Sequence, residues 1–67
     1  MNEQVTEELK DKIMEYLGRV DRARNRTIAR ALGAEKRAVD KAVAELTAEG
    51  KAEYQGFGGV SYVVKKE

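Results

Sequence analysis

Positively charged side chains gather in the middle third of this chain, and they are the residues best suited to chemistry. Residues 19–41 contain eight of the thirteen lysines and arginines against three acids, a net charge of +5, whereas the whole chain carries +1. Such a cluster attracts anions, and guanidinium groups beside a helix N-terminus can hold a phosphate group. The candidate phosphate-binding residues are Arg24, Arg26, Arg30, Lys36, Arg37 and Lys41.

A structural interpretation of the same charges is a solvated helix face with a basic loop. The sequence favours this interpretation for Arg19 and Arg22, which have acids such as Glu15 and Asp21 nearby along the chain. This interpretation fits Arg26 and Arg30 less well. Arg30 follows Arg26 by one helical turn, so the two are expected to share a face. Both interpretations stay open at this level.

Phe57 is a second candidate contact residue. It is the only phenylalanine and lies between Gly56 and Gly58, a setting in which the backbone is freer than usual. The ring could be presented to a minor groove, a stacked base or a partner's pocket. Alternatively, it could fold back onto neighbouring tyrosines and cover apolar area that a small domain needs.

Missing residue types argue against most catalytic and metal chemistry. The chain has no cysteine and no histidine, so the common zinc ligands are reduced to carboxylates and the commonest general base is absent. Ser61, the only serine, falls on a predicted strand. Apolar runs reach only three or four residues, too short for a membrane span. We therefore expect a soluble, cytoplasmic protein that is not an enzyme and carries no metal or cofactor.

The spacing of apolar residues predicts a first helix near the N-terminus. Its apolar stripe is formed by Val5, Leu9, Ile13, Tyr16, Leu17 and Val20. Asn2 or Thr6 is expected to cap its start, and Gly18 its end. The following segment, "RVDRARN", is predicted to be a connector with a short extended piece at Ala23.

Two further helices are predicted in quick succession. Asn25 is expected to cap a short helix over residues 26–32, which Gly33 ends. A longer helix then runs from Lys36 to Glu49, with Gly50 after it. Its inner stripe is Val39, Ala42, Val43 and Leu46, and its outer stripe is Arg37, Asp40, Lys41 and Ala44. This arrangement predicts a helix-turn-helix unit.

After Gly50 the period changes from 3.6 to 2, which predicts a β-hairpin. The strands "KAEYQ" and "VSYVV" are separated by "GFGG", which places Phe57 at the tip. We expect Val60, Tyr62 and Val64 to share one face. The whole chain, residues 1–67, is predicted to form one α+β domain. The predicted core is Leu9, Ile13, Tyr16, Leu17, Ile28, Leu32, Val39, Val43, Leu46, Tyr54 and Tyr62.

Three helices followed by a hairpin wing resemble the winged helix-turn-helix superfamily. Most of the likeness lies in "IARALGAEKRAVDKAVAELTAEGKAEY", from Ile28 to Tyr54. The resemblance implies a small α+β fold whose third helix is a recognition helix. It implies either DNA binding, related to transcription, or a protein-binding role.

The stretch "LGAEKRAVDKAVAELTAEGK" is similar to Z-DNA-binding Zα domains. The resemblance implies backbone contacts through Lys36 and Lys41, and places Tyr62 near the tryptophan that this family carries in its wing. Asp40 and Ala44 stand where the family has asparagine and tyrosine, and the wing has no proline.

The chain also looks like the small protein D encoded with dissimilatory sulfite reductase. The likeness lies in "KRAVDKAVAELTAEGKAEY" and in a glycine-bearing wing that ends on Tyr62 and Lys65. This resemblance implies a protein partner, a reductase, in place of DNA.

The charges favour duplex DNA, or another nucleic acid, as the partner. Cations neutralise phosphates, whereas the outer stripe of the third helix lacks the amide and hydroxyl side chains that read base edges. We therefore predict binding dominated by the phosphate backbone, by a monomer or weak dimer. The predicted nucleic-acid-binding residues are Arg24, Arg26, Arg30, Lys36, Arg37, Lys41, Phe57 and Tyr62.

Overall fold

The computed structural model describes residues 7–66, except for the side chain of Phe57. Three helices precede a two-stranded antiparallel hairpin, so the predicted α+β order is confirmed. The elements are α1 (Glu7–Arg19), α2 (Asn25–Leu32), α3 (Lys36–Ala48), β1 (Ala52–Phe57) and β2 (Val60–Lys65). In the described part of the chain, no helix has the length and apolar content needed to cross a membrane.

Helix α1 follows its predicted stripe but ends later than predicted. Ile13 and Leu17 are buried, and Leu9, Tyr16 and Val20 pack half-buried against the core. Gly18 does not end the helix: its φ is not positive, and α1 continues to Arg19. Because Val20 N–H still donates to the Tyr16 carbonyl at 3.1 Å, the backbone keeps helical bonding beyond the glycine. The predicted caps Asn2 and Thr6, and Val5 of the stripe, lie outside the described residues.

The ends of α2 and α3 match the sequence. Gly33 has a φ of 66°, and Ala34 N–H donates to the Ala29 carbonyl at 2.9 Å. Gly50 has a φ of 79°, and Lys51 N–H donates to the Leu46 carbonyl at 2.9 Å. Left-handed residues at these positions let the chain satisfy the last helical carbonyls and turn away. The predicted inner stripe of α3 is buried throughout.

The hairpin turns more tightly than predicted. Gly58 and Gly59 alone connect the strands, with φ values of 58° and 85°. Positive φ at both central residues is what a type I′ turn requires, and its twist matches the twist of the strands. Phe57 is therefore not in the loop: it is the last residue of β1, and its backbone pairs with Val60. Its side chain lies outside the described part of the structure.

The residue of β2 that faces the core is Val63, whereas the sequence predicted Tyr62. Val63 is buried, with 1% exposed surface, whereas Tyr62 is only half-buried and Tyr54 is 50% exposed. The reason lies in the connector: Ala23 N–H donates to the Val63 carbonyl at 3.1 Å, and Val63 N–H returns a 2.7 Å bond. The extended piece at Ala23 is thus confirmed, and it fixes Val63 against the helices.

The core is made by all three helices, the connector and the hairpin. Its buried members are Ile13, Leu17, Ala23, Ile28, Ala29, Val39, Ala42, Val43, Leu46, Ala52 and Val63. The hairpin contributes Ala52 and Val63 to this cluster, in place of the predicted Tyr54 and Tyr62. As a result, both tyrosines lie outside the packed core.

Candidate functional site

A cleft of about 500 Å³ opens at the start of α2. Its lining residues, hereafter the basic cleft, are Arg24, Asn25, Arg26, Lys36, Tyr54 and Ser61. They come from α2, the start of α3 and both strands of the hairpin. Three of the six are cations and none is an acid. A volume of this size lies within the range of about 300–1,000 Å³ typical of ligand pockets.

The first turn of α2 faces this cleft without a side-chain cap. Arg24 is the N-cap residue, with an extended backbone (φ −90°, ψ 158°), and its side chain makes no capping hydrogen bond. The first N–H that donates within the helix belongs to Ile28, which binds the Arg24 carbonyl at 2.9 Å. The preceding helical N–H groups have no intrahelical acceptor, and the helix dipole places partial positive charge there. This end of α2 therefore favours an anion.

Asn25 is not the N-cap that the sequence predicted. It is the first helical residue, and its Nδ2 donates to Oδ1 of Asp40 at 2.8 Å and, at 3.5 Å, to the hydroxyl of Tyr54. These tertiary bonds use the NH2 group of Asn25 and direct its side chain toward α3 and β1, whereas a cap would accept an N–H of α2 through the side-chain oxygen. The Oδ1 atom of Asn25 is buried, and the described residues offer it no hydrogen-bond partner.

The carboxylate of Asp40 is contacted by one cation and one neutral amide. Lys36 lies one turn earlier on α3, and its Nζ is 3.1 Å from Oδ2 of Asp40. The Asn25 amide binds the other oxygen. The sequence left one difficulty for anion binding at this surface, which was the charge of Asp40. Its pairing with Lys36 and Asn25 reduces that repulsion.

The guanidinium groups of Arg24 and Arg26 are exposed at the cleft. Among residues 7–66, the structure shows no ion pair between either of them and an acid. Arg19 behaves differently, because its guanidinium lies 3.5 Å from the carboxylate of Glu15, as the structural interpretation predicted. The charges of Arg24 and Arg26 are therefore available to a ligand, whereas those of Lys36 and Arg19 are partly satisfied by Asp40 and Glu15.

The predicted site residues fall into separate groups. Arg24, Arg26 and Lys36 come together in the basic cleft. Arg30 on α2, and Arg37 and Lys41 on α3, are exposed but do not line it.

Tyr62 lies on the other face of the hairpin. Neighbouring residues of a strand point to opposite faces, and Ser61 and Val63 face the cleft and the core. The Arg22 guanidinium stands over the Tyr62 ring, 5.3 Å from its centroid. This geometry is that of a cation–π contact. Tyr62 is thus not brought together with the cleft cations.

Sequence reasoning missed Tyr54, Ser61 and Asn25 as cleft residues. The alternation of β1 does place Tyr54 on the same face as buried Ala52. The core ends before it reaches Tyr54, so the distal half of this face becomes the wall of the cleft. Whether a residue on this face belongs to the core or lines the cleft depends on how far the core extends. No local sequence pattern encodes that extent.

A second cleft, of about 440 Å³, lies between α1 and α2. Its lining includes Lys12, Glu15 and Arg19. Lys12 is 4.0 Å from Glu8 and Arg19 is 3.5 Å from Glu15, so its cations have acids beside them. The basic cleft is the stronger candidate for an anion.

Comparisons with protein-family models, with curated proteins and with solved structures found no match to this chain. The basic cleft and the charge around it are therefore the features that indicate a function.

Proposed function

We propose that this chain is a winged-helix nucleic-acid-binding protein that contacts the phosphate backbone. The observation that carries the proposal is the basic cleft, where two arginines without acid partners in the described structure flank an uncapped helix start. Guanidinium groups and free backbone N–H groups are both good phosphate ligands.

The surrounding charge supports a polyanion over a single small anion. Arg30, Arg37 and Lys41 are exposed on the same two helices that form the cleft. A backbone carries a phosphate at regular intervals, so a ligand held at the cleft brings further phosphates to this surface. The net charge of the chain is only +1, so we expect weak binding that depends strongly on salt.

The layout supports a winged-helix mode of binding. In that mode α3 is the recognition helix and the hairpin is the wing. The outer stripe of α3 offers few groups that read bases, and Asp40 is held by Lys36 and Asn25. We therefore expect duplexes of different sequence to bind with similar affinity.

A titration of a short mixed-sequence DNA duplex tests the proposal. The logarithm of the binding constant should fall linearly with the logarithm of salt, with a slope of about −0.9 per phosphate neutralised. Arg26→Gln should weaken binding and flatten this slope by roughly one unit. Arg19→Gln is the matched control, because this arginine is paired with Glu15 on α1. Absence of binding at low salt would reject the proposal.

A protein-binding role is the second candidate, suggested by the resemblance to the sulfite reductase D family. The exposed ring of Tyr54 favours it, because a half-exposed aromatic side chain in a cleft is typical of interface anchors. Recovery of one abundant enzyme from nuclease-treated source-cell extract, by a chain that does not bind DNA, would support this alternative.

A further inference from the structure

Tyr54 is the most exposed large apolar side chain in the described structure, and it lies in the wall of the basic cleft. Half of its surface, 50%, is accessible. Ser61 of the opposite strand also lines this cleft, as do Arg24 and Arg26 at the start of α2. An aromatic ring and two arginines with no acid partner among residues 7–66 therefore border the same space.

The ring of Tyr54 is both positioned and open. Its backbone pairs with Val63, which is fixed in the core. Its hydroxyl is 3.5 Å from the Asn25 amide, and a 2.8 Å bond to Asp40 holds that amide in place. No other described side chain is stacked on this ring, whereas Tyr62 carries the Arg22 guanidinium at 5.3 Å. Of the two hairpin tyrosines, Tyr54 is the one whose ring a ligand can use.

Cations beside an open aromatic ring match the chemistry of an unpaired nucleotide. A positively charged groove follows the phosphates of a single strand, while aromatic side chains stack on its bases. In a duplex, the faces of internal bases are covered by their neighbours, so a ring at the protein surface has little to stack on. The shape and charge of the cleft thus suit a strand whose bases are accessible.

We infer that the basic cleft holds a nucleotide of single-stranded nucleic acid, with its phosphate on Arg24 and Arg26 and its base on the ring of Tyr54. This inference rests on the proposed function, since it adds a base contact to the same phosphate site. Single strands then bind more tightly than duplexes of equal charge. The preference is for an unpaired base and not for its identity, because every base has a face that can stack.

The test compares two single strands of about twelve nucleotides, within the range of site sizes of such proteins. One is oligothymidylate, and the other is an abasic strand with the same number of phosphates and no bases. Fluorescence anisotropy gives the affinity of each. Wild-type protein should bind oligothymidylate roughly 5- to 100-fold more tightly than the abasic strand. Equal affinities would overturn the role of Tyr54, and this comparison needs no variant.

Variants then separate the base contact from the phosphate contact. Tyr54→Leu should lose most of the preference for oligothymidylate, while its affinity for the abasic strand stays unchanged. Tyr54→Phe keeps an aromatic ring and should keep the preference. Arg26→Gln should lower the affinity for both strands. Thermal melting by circular dichroism checks that each variant is folded.

The results that would overturn this inference differ from those that would overturn the proposed function. If Tyr54→Leu changes neither affinity while Arg26→Gln weakens both, the inference is wrong and the phosphate site stands. If Tyr54→Leu weakens both strands equally, its ring does not act on bases, and the inference is again wrong. If neither strand nor duplex binds at low salt, the proposed function falls, and the inference falls with it.

Discussion

The Nζ of Lys10 lies 2.7 Å from Oε2 of Glu49 and joins α1 to the C-terminal end of α3. Glu45 and Glu7 add carboxylate oxygens at 3.3 and 3.4 Å, and only 6% of the lysine side chain is exposed. The hydrogen bond to Glu49 raises the pKa of Lys10 above its usual range, and the same bond lowers the pKa of Glu49. Folding therefore favours the charged form of both groups.

We expect the Lys10–Glu49 pair to stabilise the fold at neutral pH and to lose this effect in acid. The pKa of Glu49 is lower in the folded state, so its contribution is complete above the unfolded value and lost as pH falls through the folded one. The raised pKa of Lys10 keeps its contribution through neutral pH, with loss only in strong alkali. Glu49→Gln should lower the melting temperature near neutral pH, and the difference should shrink below about pH 4.

The control for this prediction is Glu8→Gln. It removes the same charge from α1, but its partner Lys12 is 4.0 Å away and exposed. An exposed pair of this kind contributes little to stability. Equal melting temperatures for the two variants at neutral pH would contradict the prediction.

Val63→Ala tests which face of β2 meets the core. Val63 is 1% exposed, so the loss of two methyl groups should reduce the free energy of unfolding by about 2 kcal/mol. Val64→Ala makes the same change one residue later, on the outer face, and should cost less than about 1 kcal/mol. Denaturant titrations measure both. A larger loss for Val64→Ala would show that Tyr62 and Val64 face the core, as the sequence predicts.

Gly18→Ala should stabilise the protein by about 0.5–1 kcal/mol, because alanine is favoured over glycine inside a helix. The added methyl group meets only the Nζ of Lys65, at 3.9 Å. Gly33→Ala is the matched control. It should destabilise by about 1 kcal/mol or more, because its φ of 66° strains any side chain. A loss of stability in Gly18→Ala would mean that α1 ends at this glycine in solution.

Asp40→Asn should tighten the binding of DNA, if the proposed function holds. The change removes the acid that pairs with Lys36 at 3.1 Å and leaves an oxygen for the Asn25 amide. We expect affinity to rise roughly three- to tenfold at low salt, with a smaller gain at high salt because salt screens the charges. Glu8→Gln alters the net charge by the same amount on α1, away from the cleft lining. Equal gains for both variants would mean that only the overall charge matters.

Local patterns in the sequence were sufficient to predict the elements of this fold. The stripes of α1 and α3 repeat at the helical period, and a core must bury such stripes. Gly33 and Gly50 end their helices because a left-handed residue closes a helix most easily when it has no side chain. The same property at Gly58 and Gly59 predicts the hairpin. These features depend only on neighbours along the chain.

The faces and partners of particular residues were decided by the tertiary structure. A period of two shows that Tyr62 and Val64 share a face, but it does not show which face meets the core. The bridge between Ala23 and Val63 decides that. Similarly, Asn25 has the side chain of a cap, yet its NH2 group binds Asp40 and Tyr54, and its oxygen accepts no N–H of α2.

For the candidate site, too, the sequence determined some features and the tertiary structure determined others. Composition alone identified Arg24, Arg26 and Lys36 as candidate phosphate ligands, because charge density along the chain is visible in the sequence. Their convergence with Tyr54 in one cleft depends on how far the core extends beneath the hairpin. Ala52 belongs to the buried cluster and Tyr54 does not, and packing between distant segments has no local signature in the sequence.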